Sequence, residues 1–342
     1  MKVFLSTHHA GHDPQSFISS GRVLASPECP ERADRLIAAV EKAGHAIAAP
    51  DRFPRSDLAA IHSVDYLRFL ETAHQRWLAL PSGAGEVIPN VHPGRHMGHY
   101  PEHVIGQAGF HMADTACPIG AGTFDAAVWS ADIALSAAQW VLRTGDPAYG
   151  LCRPPGHHAY ADMAGGFCFI NNVAVAADWV NRAGRRAAIL DVDVHHGNGT
   201  QGIFYHRDDV LFVSVHADPT SFYPFFAGYA VERGAGAGTG YNLNIPLPPG
   251  SGDAAWLSAI DTGLAAVHRN GTEVLLVSLG LDPQENDPLG VLKVTTEGFR
   301  QGGARVAKAG LPTVIIQEGG YLCPELADNL LAFLDGFENG VA

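Results

Sequence analysis

The sequence has no run of about 18 consecutive apolar residues, so no membrane span is expected. Its opening Met1-Lys2-Val3-Phe4-Leu5-Ser6 holds too short an apolar run for a secretory signal. Cysteine is scarce: Cys29, Cys117, Cys152, Cys168 and Cys323 are odd in number and never in CxxC spacing. That argues against a disulfide framework and for free thiols in a reducing compartment. Positive charge is short as well, with 22 Lys and Arg against 35 Asp and Glu and a formal net charge of −13. Such a balance disfavours nonspecific nucleic-acid binding and favours the approach of cationic ligands. Internal repeats and low-complexity blocks are missing too. The remainder is an ordinary packing composition, 46% hydrophobic and 17% charged over 342 residues, enough for one large domain or two smaller ones. A soluble cytoplasmic protein is expected.

Short apolar runs at Ala148–Cys152, Ala187–Leu190, Val210–Val215, Val274–Leu279 and Thr313–Gln317 have the length and branching of buried parallel strands, and Val3–Ser6 reads as a first one. Helical patterns at Asn172–Ala183, Ala254–Arg269 and Thr296–Ala309 fall between some of them. The class expected is therefore α/β, an open, mostly parallel sheet flanked by helices on both faces. Earlier, Pro30 and Glu31 open one helix, Ser63 is placed to cap another, and the Ala-rich Thr123–Leu142 reads as a buried helix. Thr7–Pro14, with three histidines, reads as a solvated or channel-rim loop. Between Pro81 and Ala121 periodicity lapses into a stretch rich in Gly, Pro and His, and ordered loops of that length are usually functional or at an interface.

In Ile189–Thr200, read as a strand running into a turn, Asp191, Asp193 and His195 share one face because strand side chains alternate. Carboxylates beside an imidazole suit a borderline divalent cation such as zinc; a structural turn, with Asp and His capping backbone groups, is the plainer alternative. The loops after the strands matter more, since loops at the carboxyl ends of parallel strands lie along one edge, where such sheets bind ligands. Those loops bring His157-His158, the Asp191 stretch, Asp282 and Tyr321 to that edge. An Asp193, His195, Asp282 ligand set leaves room for water on a catalytic ion. His157 and His158 would move protons, with Asp191 and Asn198 tuning the two rings apart. Tyr321 would donate to the oxyanion that develops as water attacks.

The text RPPGHHA at Arg153–Ala159, GGFCFINN at Gly165–Asn172, DVDVHHGNGTQ at Asp191–Gln201, SLGLD at Ser278–Asp282 and EGGY at Glu318–Tyr321 resembles the arginase-deacetylase fold group. Within it the match is to the zinc-dependent histone deacetylase family and its bacterial acetylpolyamine amidohydrolase branch. The resemblance implies one deacetylase domain over 1–342, with an inserted loop at about 81–121 shaping the active-site mouth and a possible dimer interface. It implies one catalytic Zn2+ on Asp193, His195 and Asp282, for which Fe2+ or Co2+ could substitute, and Tyr321 as carbonyl-polarising residue. Asn198 places the chain with the branches whose second histidine has an Asn partner. Gly166 and Phe167 match channel-wall positions, with an aromatic near Phe225 in the run Phe222–Phe226 as the facing wall, and Asp114, with Glu102 as a second candidate, would meet a distal ammonium. A structural K+ or Na+ is implied at Asp191, Asp193, His195, Ser214 and Val215, and a second at Phe204, Arg207, Val210 and Tyr241. The activity implied is deacetylation of small cationic acetylated amines such as N-acetylpolyamines, by a homodimer or higher homo-oligomer with no nucleic-acid or membrane partner. Alternatives are a deacetylase of acetyllysine in proteins or of another small amide, and a metal-bearing module that binds acetylated amines without turnover.

Overall fold

The computed structural model describes residues 1–81 and 83–340, so Ser82 of the expected insertion and the last two residues of the expected domain lie outside it. Eight strands form one sheet: β1 (Lys2–Phe4), β4 (Ala46–Ala48), β5 (Ala148–Gly150), β6 (Ala187–Asp191), β7 (Val210–Ala217), β8 (Asn242–Leu247), β9 (Val274–Leu279) and β10 (Thr313–Gln317). The order across the sheet is β4-β1-β5-β10-β9-β6-β7-β8, and every neighbouring pair is parallel. β2 (Phe17–Ser19) and β3 (Arg22–Leu24) pair separately as an antiparallel hairpin.

Both sheet faces are buried, which is why the inner strands read as unbroken apolar runs. On one face Ala187 and Ile189 of β6 and Leu276 of β9 join a core with α3 (Val64–Leu78), α5 (Thr123–Thr144) and α6 (Asn172–Arg182). On the other, Ala188, Leu190 and Val277 pack with α1 (Pro30–Lys42), α8 (Asp253–Arg269), α9 (Thr296–Lys308) and α10 (Leu326–Asn339). Pro30 opens α1, and Ser63 caps α3 by accepting from the Tyr66 N–H at 3.3 Å.

Two sheet strands escape the sequence pattern for one reason. β4 and β8 are the edges; β4 is only three residues, mostly exposed, and β8 alternates Asn242 and Asn244 with Leu243 and Ile245, so neither presents an apolar run of strand length. The Ile189–Thr200 stretch also departs from expectation. β6 ends at Asp191; beyond it Asp191 Oδ1 accepts from Asp193 N at 3.1 Å and Asp193 Oδ1 from His195 N at 2.9 Å. Two successive side-chain-to-backbone bends thus replace the extended chain, and α7 (Asn198–Phe204) comes next. The histidines of Thr7–Pro14 are only partly solvated: His8, half-exposed, and His9 lie on a 3₁₀ turn (Thr7–Gly11) that His12 caps, and His9 and His12 are buried. The 81–121 insertion contains α4 (Val104–His111); the bridge Val87–Ile119 closes its two ends on each other, and Met112–Ala164 ties it to the body. One short helix, α2 (Arg55–Ala59), precedes α3.

A buried histidine near these helices makes stability depend on pH. His62 is 1% exposed and accepts from the Asn171 N–H at 3.0 Å, and burial pushes its pKa down to about 4. The folded state holds the ring neutral, whereas the unfolded chain protonates it near its ordinary value. The contribution is therefore complete above that value and is lost as pH falls towards 4, on the order of 3 kcal/mol in all. Urea unfolding between pH 7.5 and 4.5 should show a shallower pH dependence for His62→Gln, which keeps an acceptor for Asn171 but does not titrate. Equal slopes in the two proteins would refute this account.

Candidate active site

The sheet order places four chemically loaded loops side by side, because β5, β10, β9 and β6 are consecutive neighbours. His157 and His158 come after β5, Glu318–Tyr321 after β10, Asp282 after β9, and Asp193 and His195 after β6. Residues from 157 to 321 meet at one edge for that reason.

Asp193, His195 and Asp282 are buried and offer ligand atoms all within 4.8 Å of one another. His195 Nδ1 lies 3.1 Å from Asp193 Oδ1 and 3.3 Å from Asp282 Oδ2. Asp282 Oδ2 makes no hydrogen bond; its other oxygen accepts from Val194 N at 2.9 Å. Burial, then the Asp193 charge, pushes the Asp282 carboxyl up to about 7. Two adjacent buried carboxylates, one with an orphaned oxygen, are the environment a divalent cation neutralises, so these residues fit a metal. Glycines close the cradle: a Cβ on Gly319 would stand 2.1 Å from Asp282 Oδ2, and one on Gly280 2.2 Å from Asp193 Oδ2. A second group, His157, Cys168 and Glu318, is as compact but does not fit an ion. Burial holds the Cys168 thiol well above its usual range, and therefore protonated, while His157 and Glu318 are bonded elsewhere.

The paired histidines differ in partner. His157 Nδ1 donates to Asp191 Oδ2 at 3.0 Å and His158 Nδ1 to Asn198 Oδ1 at 2.6 Å, with ring centroids 4.0 Å apart. Asn198 in turn donates to the Tyr160 hydroxyl at 3.2 Å, which turns its carbonyl oxygen towards His158. In the neutral ring, a proton on His158 Nδ1 leaves the Nε2 lone pair facing the site. Burial alone would lower both pKa values. For His157 the Asp191 and Asp193 charges overcome it and the pKa rises; for His158 nothing does, and the His157 and His195 charges lower it further. One ring is held protonated and the other neutral.

Above these groups opens a cavity of about 440 Å³, with His158, His195 and Tyr321 at its base. Gly166 and Phe167 line it as expected, both with left-handed φ (51° and 69°). A Cβ on Gly166 would stand 2.3 Å from His158 Cδ2, so glycine lets the wall close on the ring. The facing side is built by Phe222, Tyr223 and Phe225 together. Phe222 stacks on His195 at 4.9 Å and Tyr223 meets His158 edge-on at 5.0 Å, whereas Phe225, with φ 64°, is turned to the mouth and 48% exposed. Asp114 lines the cavity, but its carboxylate is committed to protein partners. Oδ2 accepts from the Tyr223 hydroxyl at 2.7 Å and Gly166 N at 3.1 Å, and Oδ1 from Ala116 N at 2.8 Å. Asp114 therefore joins the two walls while still lining the cavity. Glu102 is outside the cavity; its carbonyl accepts from Arg76 at 3.2 Å.

Ser214 and Asp191, two residues of the expected inner cation site, are register partners on β7 and β6. Ser214 Oγ also bonds His216 Nδ1 at 2.8 Å. Phe204 ends α7, Val210 opens β7, and the Tyr241 carbonyl accepts from Phe212 N at 2.9 Å, which brings the residues of the outer set to one corner. Arg32 and Glu318 carry structure that sequence reasoning missed. The Arg32 guanidinium lies 4.7 Å from the Tyr321 ring centroid and donates to Gly320 O and Glu318 O at 2.5 and 2.9 Å. Glu28, fully buried, pairs with both Arg32 and Arg153 at 2.8 Å. Only the EGGY motif hinted at Glu318.

The Histone deacetylase domain model matches residues 26–337. The chain is 47% identical to the acetylpolyamine amidohydrolase of Burkholderia pseudomallei, over 98% of each chain. It is 42% identical to acetylpolyamine amidohydrolase 1 of Pseudomonas aeruginosa, over 97% of each. A crystal structure of the acetylpolyamine aminohydrolase from Burkholderia pseudomallei superposes with a TM-score of 0.96, at 45% identity over 99% of both chains.

Proposed function

Because this chain belongs to the histone deacetylase family, we propose that it is a metal-dependent amidohydrolase that removes acetyl groups from small cationic acetylated amines such as N-acetylpolyamines. The observation that carries the reading is the aromatic-walled cavity that ends on His158, His195 and Tyr321. Its apolar and aromatic lining, with polar groups at the base, suits an extended chain with an amide at the tip, and the relatives named for acetylpolyamines match along nearly their whole length. The net charge of −13 favours the approach of a cation. The whole of 1–342 reads as one deacetylase domain, with the 81–121 insertion at the mouth and at the contact of a homodimer or higher homo-oligomer. Free cysteines throughout and, among the described residues, no helix able to cross a membrane support a cytoplasmic setting.

Asp193, His195 and Asp282 would hold the ion, and their oxygen and nitrogen donors suit Zn2+, with Fe2+ or Co2+ as substitutes. When bound, it supplies a Lewis acid for the amide carbonyl and acidifies water. His158, neutral, takes the proton from the attacking water through Nε2. The Tyr321 hydroxyl donates to the carbonyl oxygen as it becomes anionic. The histidine pair then returns a proton to the amine nitrogen as the C–N bond breaks, leaving acetate and free amine. A K+ or Na+ among Asp191, Asp193, His195, Ser214 and Val215 would offset buried negative charge, with the Phe204, Arg207, Val210 and Tyr241 set as a second such site.

Purified metal-loaded protein should release acetate from acetylputrescine and acetylcadaverine. Much faster turnover of acetyllysine peptides would overturn the polyamine assignment, and binding without acetate release would overturn the enzymatic one. Asp114→Ala, which unpins Tyr223 from Gly166, should raise KM about tenfold with a smaller change in kcat, the scale of one lost hydrogen bond to a charged group. Unchanged KM in steady-state assays would remove Asp114 from the substrate wall.

A further inference from the structure

Four consecutive residues after β10 each commit a group to a different part of the site. Glu318 is fully buried; its Oε2 accepts from Gly156 N at 2.7 Å and His157 N at 3.1 Å, and its Oε1 accepts from Ser278 Oγ at 3.1 Å. Gly319 N donates to Asp193 Oδ2 at 2.8 Å. Gly320 O accepts from Arg32, and Tyr321 N donates to Asp287 Oδ2 at 2.7 Å. We propose that Glu318 is a positioning residue for the reaction, fixing the backbone of the histidine pair relative to Tyr321. The proton-accepting imidazole and the carbonyl-polarising hydroxyl thereby keep a set separation.

Three observations carry this. The Gly156 and His157 N–H groups find their acceptor in one carboxylate oxygen, and buried N–H groups left without a partner are costly. The turn has no room to settle otherwise, since even a Cβ on Gly156 would stand 2.5 Å from Asn172 N. His157 is therefore fixed twice, its backbone by Glu318 and its ring by Asp191 at 3.0 Å. Ser278, register partner of Asp191 on β9, holds the other carboxylate oxygen, so the carboxylate is anchored to the sheet. Glu318 supplies the reach and acceptor geometry of a two-methylene side chain, and an amide of the same length supplies them too.

The proposal rests on the deacetylase reading, so wild-type acetate release from acetylputrescine is measured first; its absence overturns both. Glu318→Asp, one methylene short, should lower kcat by about 10²-fold, the scale of a 1 Å misplacement of a catalytic group. KM and bound metal should stay at wild-type levels. Glu318→Gln, whose carbonyl can serve the same two N–H groups while its amide donates to Ser278, should keep kcat within about threefold of wild type. Wild-type kcat in the Asp variant, a loss that tracks lost metal, or a Gln variant as impaired as the Asp one would each overturn the assignment to Glu318 and leave the deacetylase reading standing.

Discussion

Asp282→Ala is expected to purify with little bound metal and to lose at least about 10³-fold in acetate release, several kcal/mol of transition-state stabilisation. Asp282 is the ligand that arrives from a strand remote in sequence. Asp193 and His195 come from one bent segment and remain together without it, 3.1 Å apart. Two donors leave an ion weakly held and open to solvent. Removing the side chain also orphans Val194 N, which donates to Asp282 Oδ1 at 2.9 Å, so some destabilisation accompanies it. Asp282→Asn keeps an acceptor for Val194, removes the charge, and should still bind metal poorly. Elemental analysis beside acetate release checks both variants; a full complement of metal and normal turnover in Asp282→Ala would mean that the ligand set is wrong.

Tyr321→Phe should behave differently: kcat falls by about 10²–10³-fold, the usual cost of one oxyanion donor, while metal content and fold persist. The ring's contacts do not involve the hydroxyl. Arg32 lies 4.7 Å from its centroid and Phe167 meets it at 5.7 Å, and both survive the substitution. KM should move little, since a donor that strengthens only as charge develops contributes to the transition state and not to ground-state binding. Turnover equal to wild type would remove Tyr321 from the reaction.

Much of this site is legible in the sequence. Buried parallel strands announce themselves as apolar runs, and the loops at their carboxyl ends must share an edge, so His157, His158, Asp193, His195, Asp282 and Tyr321 can be grouped across more than 160 residues. The all-parallel sheet emerges from the same runs, whereas its edges, β4 and β8, do not, because edge strands need no continuous apolar side. Three features of the site stay hidden for distinct reasons. That Phe222 and Tyr223 meet the histidines while Phe225 stands at the mouth is not readable, because a positive φ at Phe225 breaks the alternation on which register is read. The bridging task of Asp114 is hidden because its partners, a tyrosine 109 residues away and a backbone N–H, leave no local mark. Glu318 acts on backbone N–H groups, which every residue type except proline carries, so its task has no sequence signature of its own.

The sheet order has a consequence for how the molecule is made. β10 is the last strand in the chain, yet it lies between β5 and β9, near the middle of the sheet. During synthesis the β1–β5 side and the β6–β9 side can each collect helices, but they share no strand-to-strand bonds until residues 313–317 slot between them. The nascent protein thus carries two unpaired inner edges until nearly the end of translation, when exposed edges are most open to pairing with other chains. Chaperone dependence and aggregation during expression should therefore track the emergence of β10 from the ribosome, and fragments ending before residue 313 should be the sticky species.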